Sequence, residues 1–571
     1  MALDERSTLT RLSALLAATH ARHQLRRFFR CADRAAAVQE RALLRLVRHN
    51  ADSTFGRDHG FDHIHSPREF TDRVPIRTYA DMTPYMDRVK AGETSALFGS
   101  GQRVVMFALT SGSTDVPKYI PVTDAFVRSY RRGWNIFGVK ALYDHPGGVL
   151  RPILQVSSPM DERRTARGIP CGSISGLLAA TQKRLVRKFY TSPPSTAYIA
   201  DPQARYYTLM RLAVPRNVAF AVTANPATQL RLARSAQTHA QRLIKDVSDG
   251  TLSPPGEIDP AIRRRIADRL RPDRGSANRL SSILDRHGAL LPKHYWDLKF
   301  LANWTGGTLA LHLRDFPYYF GRTPVRDIGL LATEGRVSIG IEDGTPGGIL
   351  DVEGGFFEFM EPDAETAPDP KSPPALRCHE LAVGGEYRVL LTNAAGLYRY
   401  DLGDRIRVLE YLGQAPVVEF LHRGEHTASL TGEKLTEWQV AKAFERATRE
   451  LDLQLDTFVL APQWHDPPFY RLHVDHCKAQ AEYQTDVHRL AQAVDRHLCR
   501  INLEYHSKRK SGRLGPIVAN LLSDGYLGKL DAGHQAGRGA SNEQYKHRYL
   551  YRQPGDDAAF PVAAPADRYR D

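Results

Sequence analysis

Past Asp327 the chain changes its period, and no other feature constrains the fold as much. Before that point apolar residues recur at helical spacing between isolated strands. Ala35, Val38, Ala42 and Leu46 mark one helix face inside a span of about residues 8–49. Ser66-Pro67-Arg68-Glu69 predicts a capping box with proline in the first helical position. Thr78-Tyr79-Ala80-Asp81 predicts a second helix start, and Gly92 its end. Val104–Leu109 reads as a strand, and a helix is expected from about Asp124. After Asp327 short β runs take over: Ile328–Ala332, Arg336–Ile341, Gly355–Met360, Glu386–Thr392 and Arg405–Leu412. Beyond Arg423-Gly424 the texture changes again. A helix follows from about Thr436, then strands Thr457–Ala461 and Phe469–Asp475 around a Pro-Pro turn. A helix over 484–503 sets Val487, Leu490, Val494, Leu498 and Ile501 on one face. This last part suits a small α+β domain. The Pro- and charge-rich stretch Ser253–Asp273 reads as a surface excursion, Glu361–Pro374 as a loop, and the tail after Pro554 as frayed.

Composition excludes several classes. The 571 residues correspond to three or four domains of ~150 residues, or to two large ones. With 42% apolar and 25% charged residues the chain has an ordinary globular balance, which excludes wholesale disorder. Apolar runs such as Val218–Ala224 fall short of the ~20 residues of a membrane span. Asp4 and Glu5 oppose a secretory or transit leader. The five cysteines are scattered and form no CxxC, so reduced thiols and a cytoplasmic location are expected, without structural zinc. The net charge of +14 leaves nucleic acid, an anionic surface and a small anionic substrate open. The arginines are dispersed, with no basic helix or aromatic-interleaved stripe, which argues against nucleic acid.

Four constellations carry candidate chemistry. In Thr110–Lys118 (TSGSTDVPK) a strand feeds small hydroxyl residues whose N–H and O–H groups can surround a phosphate, with Lys118 adding charge. Pro117-Lys118-Tyr119 replaces the Gly-Lys-Ser/Thr of a Walker loop. In Leu330–Gly335 (LLATEG) a strand is expected to end in Thr333-Glu334, where a carboxylate can hold a hard cation such as Mg²⁺. In Gly396–Val408 (GLYRYDLGDRIRV) two strands are expected to flank Asp401–Asp404, a turn whose carboxylate can accept both hydroxyls of a ribose. In Gly537–Arg548 a glycine-rich lead-in precedes Lys546, placed to neutralise charge developing on a phosphoryl group. A lone Ser-Gly-Ser or a lone Thr-Glu at a turn is more often ordinary turn chemistry, whereas the nine-residue string after a strand is far more specific. His59, His63 and His65 are broken by Gly60 and do not form a helical metal face; His473, His476 and Cys477 alternate faces. Asn303-Trp304-Thr305 matches a glycosylation sequon.

Taken in order, these motifs resemble the adenylate-forming enzymes, and more closely the Gretchen Hagen acyl acid amido synthetases, auxin-responsive ligases of plants with bacterial relatives; this chain resembles a bacterial-like member. NADSTFG (50–56), VPIRTYADMTPYMDRV (74–89) and GETSALF (92–98) extend the likeness over about Asn50 to Tyr549. The resemblance implies an α/β fold: a large adenylation domain over 1–422 with mixed sheets and a small β-barrel, and a small α+β lid over 424–571 hinged near Arg423-Gly424, with the active site between them. It implies a ligase that uses ATP and Mg²⁺ to convert a carboxylic acid to acyl-AMP and passes the acyl group to an amine, usually an amino acid. Thr110, Ser111, Gly112, Ser113 and Thr114 then belong to the phosphate loop, with Lys118 beside it. Thr333 and Glu334 lie near the α-phosphate and Mg²⁺, with Glu334 the metal ligand. Asp404 binds ribose, and Lys546 serves one half-reaction. The acyl pocket is expected along Asp124–Phe137 and around Ala197–Asn225. Partners are a small carboxylic acid and an amine, not nucleic acid or a membrane.

One departure stands out. Asp115 and Val116 occupy positions where the family's loop has a small residue, often glycine, and an anion there opposes the outgoing phosphates. Transfer to a thiol or an alcohol, and a non-catalytic nucleotide-binding homologue, stay open at this level.

Overall fold

The computed structural model describes residues 19, 22–110, 118–182, 184–361, 374–423, 427–431, 433, 435–455, 457–475, 483–536 and 547–561. The chain divides into two compact units, one formed mainly by residues up to Phe420 and the other mainly from Leu421 onward.

Among the described residues the first unit contains three sheets. Its first sheet runs in the order β2 (Lys118–Thr123), β1 (Val104–Thr110), β5 (Pro170–Gly172), β4 (Arg163–Arg164). A second sheet, β3 (Ile153–Gln155), β6 (Phe220–Val222), β7 (Phe300–Asn303) and β8 (Val325–Asp327), is parallel throughout. The third has seven strands, in the order β12 (Leu376–Arg377), β11 (Phe356–Met360), β13 (Glu386–Asn393), β14 (Leu397–Leu412), β15 (Ala415–Arg423), β10 (Gly348–Leu350), β9 (Ser338–Ile339). Its paired neighbours are antiparallel wherever registers are defined. The expected small barrel is not closed among the described residues. Its edge strands β12 and β9 have two residues each and do not pair with one another, so no ladder joins the ends.

Helices pack where the pattern predicts, with small shifts. Helix α1 (Ala35–His49) buries Ala35, Val38, Gln39, Leu43 and Val47, so the inner face lies one residue beyond the Ala42 and Leu46 of the expected stripe. Gln39 decides this. Its amide donates to the carbonyls of Val352 and Gly355 at 2.6 Å, and its oxygen accepts from Phe357 N at 2.8 Å, so a buried polar side chain ties the helix to β11. Ser66 caps its helix from Glu69 N, but Glu69 bonds His65 N, so half of the expected box forms. Helix α2 (Tyr79–Lys90) has the complete box, Thr78 with Asp81. Helix α3 (Asp124–Asp144) starts where expected, with Thr123 accepting from Phe126 N.

Three expectations need correction here. Ile328–Ala332 is not a strand: Gly329 takes φ +83°, and a side chain there would meet the Ser338 carbonyl at 2.3 Å, so the backbone turns away after Asp327. Residues 397–412 form one continuous strand, not two strands around a turn. Ser253–Asp273 is more than a surface excursion, because Ile258, Ile266 and Leu270 enter the core beneath the parallel sheet.

In the second unit, β16 (Thr427–Ala428) pairs with β17 (Leu435–Thr436), and Thr436 and Gln439 form a capping box on helix α4 (Glu437–Glu450). The main sheet runs β18 (Phe458–Gln463), β19 (Phe469–Asp475), β20 (Val518–Leu522). Helix α5 (Tyr483–Ile501) ends before 503 because the Asn502 side chain accepts from Tyr505 N at 2.9 Å and starts a new helix, Leu503–Lys510. The segment just after Pro554 is not frayed. Asp557 and Phe560 are buried. Asp557 Oδ2 accepts from His473 Nε2 at 2.8 Å and from Gln463 Nε2 at 2.9 Å.

This pairing predicts acid sensitivity. Asn520 Nδ2 donates to His473 Nδ1 at 2.8 Å, so that nitrogen carries no proton and the ring is neutral. Burial holds the His473 pKa below its ordinary 6.5. Asp557 is held below its ordinary 3.8: burial opposes this, and the hydrogen bonds from His473 and Gln463 overcome it. Each group therefore binds fewer protons folded than unfolded. Stability should fall first as pH drops below 6.5, and again below 3.8. Thermal melts of wild type and Asp557→Asn from pH 7.5 to 5 check this; the variant should melt lower at pH 7.5 and lose at least as much stability on acidification, because the Asp557 carboxylate holds the His473 pKa up.

Candidate functional site

The first motif lies at the end of a hairpin ladder. Thr110 of β1 pairs with Lys118 of β2, so both flanks of the expected phosphate loop are held side by side. Ser111, Gly112, Ser113, Thr114 and Asp115 lie outside the described residues. The Lys118 ammonium stands 5.5 Å from the Tyr79 ring centroid, and the Tyr79 hydroxyl accepts from Tyr119 N at 2.7 Å. Helix α2 thus supports the lysine through an aromatic face.

The second motif is a tight turn, not a strand end. Ala332 N donates to Gly335 O at 2.9 Å and Gly335 N to Ala332 O at 3.2 Å, with Leu331 bridged to Arg336. Thr333 and Glu334 are the two residues at its tip. Thr333 is half-buried and Glu334 is buried.

A residue that the sequence reading missed connects these pieces. Asn393, at the end of β13, donates from Nδ2 to Glu334 O at 2.7 Å and accepts from Ala395 N at 2.9 Å. The adjoining Ala394 carbonyl accepts from Thr123 Oγ1 at 2.8 Å, at the end of β2. The β1–β2 hairpin, the Thr333-Glu334 turn and the β13–β14 hairpin therefore meet at Asn393-Ala394. No motif advertises that asparagine; its only signal is its place before Ala-Ala-Gly at a hairpin.

In the third motif, DLGD is a bulge. Arg388 faces Arg405 and Leu390 faces Asp401, so Leu402, Gly403 and Asp404 together oppose Val389. Gly403 takes φ +70°. The two aspartates divide their work. Asp401 holds the bulge, pairing with Arg388 and accepting from Gly403 N at 2.8 Å. Asp404 is 7% exposed on the bulge itself. Lys546 lies outside the described residues.

The parallel sheet adds a feature the motifs did not contain. Asp327, at the carboxyl end of β8, accepts from Thr305 N at 2.6 Å, Thr305 Oγ1 at 2.8 Å and Gly329 N at 2.7 Å. Burial pushes its pKa up to about 6 despite these bonds. Trp304 Nε1 donates to Gly329 O at 3.0 Å. The loop after β7 is thus laced to the segment leading into Thr333-Glu334, at the edge where open α/β sheets bind ligands. Asn303 is fully buried with Nδ2 on Gln229 at 3.0 Å, so the sequon cannot be glycosylated in the folded chain. Among the described residues no group of three or more His, Cys, Asp or Glu side chains can hold a metal ion. No described helix is long and apolar enough to cross a membrane.

Models of three successive domains of one family match this chain: the GH3 family N-terminal domain over residues 24–325, its central domain over 348–423 and its C-terminal domain over 438–555. The chain belongs to the GH3 family. GH3 relatives span most of its length. A jasmonoyl–L-amino acid synthetase of Nicotiana attenuata is 24% identical over 536 residues, covering 90% of each chain. An indole-3-acetic acid-amido synthetase of Arabidopsis thaliana is 26% identical over 435 residues, covering 72% of this chain and 78% of its own. The solved GH3.15 acyl acid amido synthetase in complex with 2,4-DB superimposes with a TM-score of 0.80 at 19% identity, covering 94% of this chain and 95% of its own. A 2-hydroxyisobutyryl-CoA ligase in its postadenylation state reaches a TM-score of 0.50 at 12% identity, covering 92% and 91%. This chain therefore shares its fold with both solved structures.

Proposed function

We infer that this GH3 member is an ATP-dependent acyl acid amido synthetase, which joins a small carboxylic acid to an amino acid through an acyl-AMP intermediate. The observation that carries this reading is the ordered match of all three GH3 domains along one chain. The meeting of three motif-bearing segments at Asn393-Ala394 supports it.

In this reading Thr110–Thr114 and Lys118 surround the outgoing phosphates. Thr333 offers its hydroxyl to the α-phosphate. Glu334 fits Mg²⁺ by its chemistry: a hard oxygen donor on a fixed turn, of the kind that holds this ion together with substrate phosphates and waters. The ion would supply charge neutralisation between phosphates and the incoming carboxylate. Asp404 accepts the ribose hydroxyls, and Asp401 keeps the bulge that presents it. Residues 1–422 form the adenylating part and 424–571 the part that brings Lys546. A cytoplasmic location suits Cys31, Cys171, Cys378 and Cys499, which are free thiols.

The test is acid-stimulated ATP–pyrophosphate exchange over a panel of carboxylic acids, followed by AMP release with amino acids, coenzyme A or alcohols added. Exchange with no acid sinks the reading, and release driven by coenzyme A alone changes the acceptor. Lys546→Ala should slow one half-reaction about 10²-fold or more while ATP affinity stays within a few-fold. Unchanged single-turnover rates in both half-reactions would remove Lys546 from the mechanism.

A further inference from the structure

The residue joined to Lys546 by one peptide bond is a histidine with both ring nitrogens engaged. The His547 side chain is 8% exposed. Its Nε2 lies 2.8 Å from the Phe458 carbonyl at the start of β18. Its Nδ1 lies 3.0 Å from each carboxylate oxygen of Asp531, on the helix Tyr526–Ala536. A carbonyl only accepts, so Nε2 carries a proton. An ionised carboxylate only accepts, so Nδ1 carries one as well. The ring is therefore an imidazolium that donates to two different elements.

The residues that follow extend this hold. Leu460 N donates to Tyr549 O at 2.8 Å and Tyr551 N to Leu460 O at 2.9 Å, so 549–551 run parallel to β18 along the edge that β19 leaves open. Tyr549 N donates to Glu437 Oε1 at 2.7 Å, which brings in the first turn of α4. The Tyr549 ring meets the His547 ring edge-on, with centroids 4.6 Å apart. Three carboxylates face the cation from three elements: Asp531 from its helix, Glu437 from α4 and Asp475 from β19. Asp531 bonds it directly, and the other two act through space. Burial opposes the charge on His547. The bond and charge of Asp531, the Phe458 carbonyl and the Glu437 charge outweigh it and hold the pKa above the ordinary 6.5.

We propose that His547 is a positioning residue for Lys546: its imidazolium, clamped between Asp531 and the Phe458 carbonyl, fixes the backbone from which the lysine side chain extends. The inference rests on the ligase reading and adds to it an anchor that works only while it holds its proton. A neutral ring keeps a single N–H, so it must give up either Asp531 or Phe458 and leave that acceptor unmet in a buried place. The raised pKa sets the sign. The clamp is complete below 6.5 and is lost as pH rises through the folded value. A small displacement at such an anchor matters, because misplacing a reacting group by ~1 Å can cost about 10²-fold in rate.

The test uses full-length protein, isotope-labelled at histidine, and two measurements from pH 6 to 9. One is NMR of the His547 ring nitrogens, assigned by their loss in His547→Gln. The other is the single-turnover rate of each half-reaction. In wild type His547 should stay doubly protonated at pH 7.5, and the half-reaction that Lys546→Ala slows should fall about tenfold or more as that proton leaves. Asp531→Asn keeps the size of the side chain and removes its charge. It should move the His547 titration and the fall in rate together to lower pH by about one unit, with the other half-reaction and ATP affinity within about twofold of wild type. A wild-type His547 that titrates at or below 6.5 overturns the proposal, as do half-reactions that fall alike, or a rate that holds while the proton leaves. If Asp531→Asn does not fold, the two wild-type curves decide by that last criterion. Wild type with a high-titrating His547 but no acid-stimulated exchange sinks the ligase reading and reduces the clamp to a stabilising contact. Exchange beside an ordinary His547 titration sinks the anchor alone.

Discussion

Glu334→Gln should lower acid-dependent pyrophosphate exchange by about two to three orders of magnitude. The substitution keeps size and hydrogen-bonding capacity and removes one negative charge. Its backbone bond to Asn393 is unaffected, because Asn393 donates to the Glu334 carbonyl and not to the side chain. The turn should therefore keep its shape, and the loss reports on charge. Raising Mg²⁺ should recover part of the rate, since weaker coordination answers to concentration. An exchange rate within threefold of wild type would assign the metal to other residues. Asn393→Ala provides the complement: it leaves the carboxylate intact and frees the turn from β13. Steady-state exchange at several Mg²⁺ concentrations separates the two effects.

Arg399→Met should destabilise the first unit by about 3–5 kcal/mol, the cost of leaving a buried ion-pair partner uncompensated. Arg399 is 2% exposed. Its Nε reaches both Glu358 oxygens at 3.1 Å and its Nη2 reaches Oε1 at 3.0 Å. Its Nη1 donates to the carbonyls of Thr71 at 3.1 Å and Val74 at 2.8 Å, fastening the end of the Pro67–Arg73 helix to the sheet. Its backbone takes φ +45°, a strained value for a side-chain-bearing residue. Burial raises the Glu358 pKa even with Arg399 present, so the carboxylate depends on its partner. Adding Glu358→Leu should return part of the lost stability, because two apolar groups need no pairing. Urea denaturation midpoints of the single and double variants measure this. A double variant no more stable than Arg399→Met would show that the helix carbonyls, and not the ion pair, dominate.

These two residues show what the sequence disclosed and what it withheld. Motif order disclosed the family, because several short strings in fixed order are hard to match by chance. Helix starts were equally legible: Thr78 with Asp81, Thr123 and Thr436 with Gln439 all cap where their spacing predicts, since capping is local chemistry. The second motif is not a strand because Gly329 packs against the Ser338 carbonyl and Ala332 and Gly335 bond each other across a turn, close approaches that apolar periodicity does not register. The same holds for the DLGD bulge, which needs Val389 and Arg388 on the neighbouring strand. The site's connector Asn393 and the anchor His547 act through residues tens of positions away. In GLYRYDLGD the motif points to a nucleotide, yet Arg399 and Asp401 inside it serve the scaffold, and Asp404 is the residue proposed for the ligand.

The docked segment after Pro554 has a practical consequence for protein engineering. The match to the GH3 C-terminal domain stops at residue 555, whereas Asp557 and Phe560 remain buried beyond it. A truncation guided by family boundaries would remove both side chains, strip His473 of its acceptor and open the small apolar cluster of Val459, Leu522 and Leu527 to water. Reporter fusions and affinity handles on this enzyme belong after Pro561, whose carbonyl accepts from Asn520 and is the last hydrogen-bonded group among the described residues.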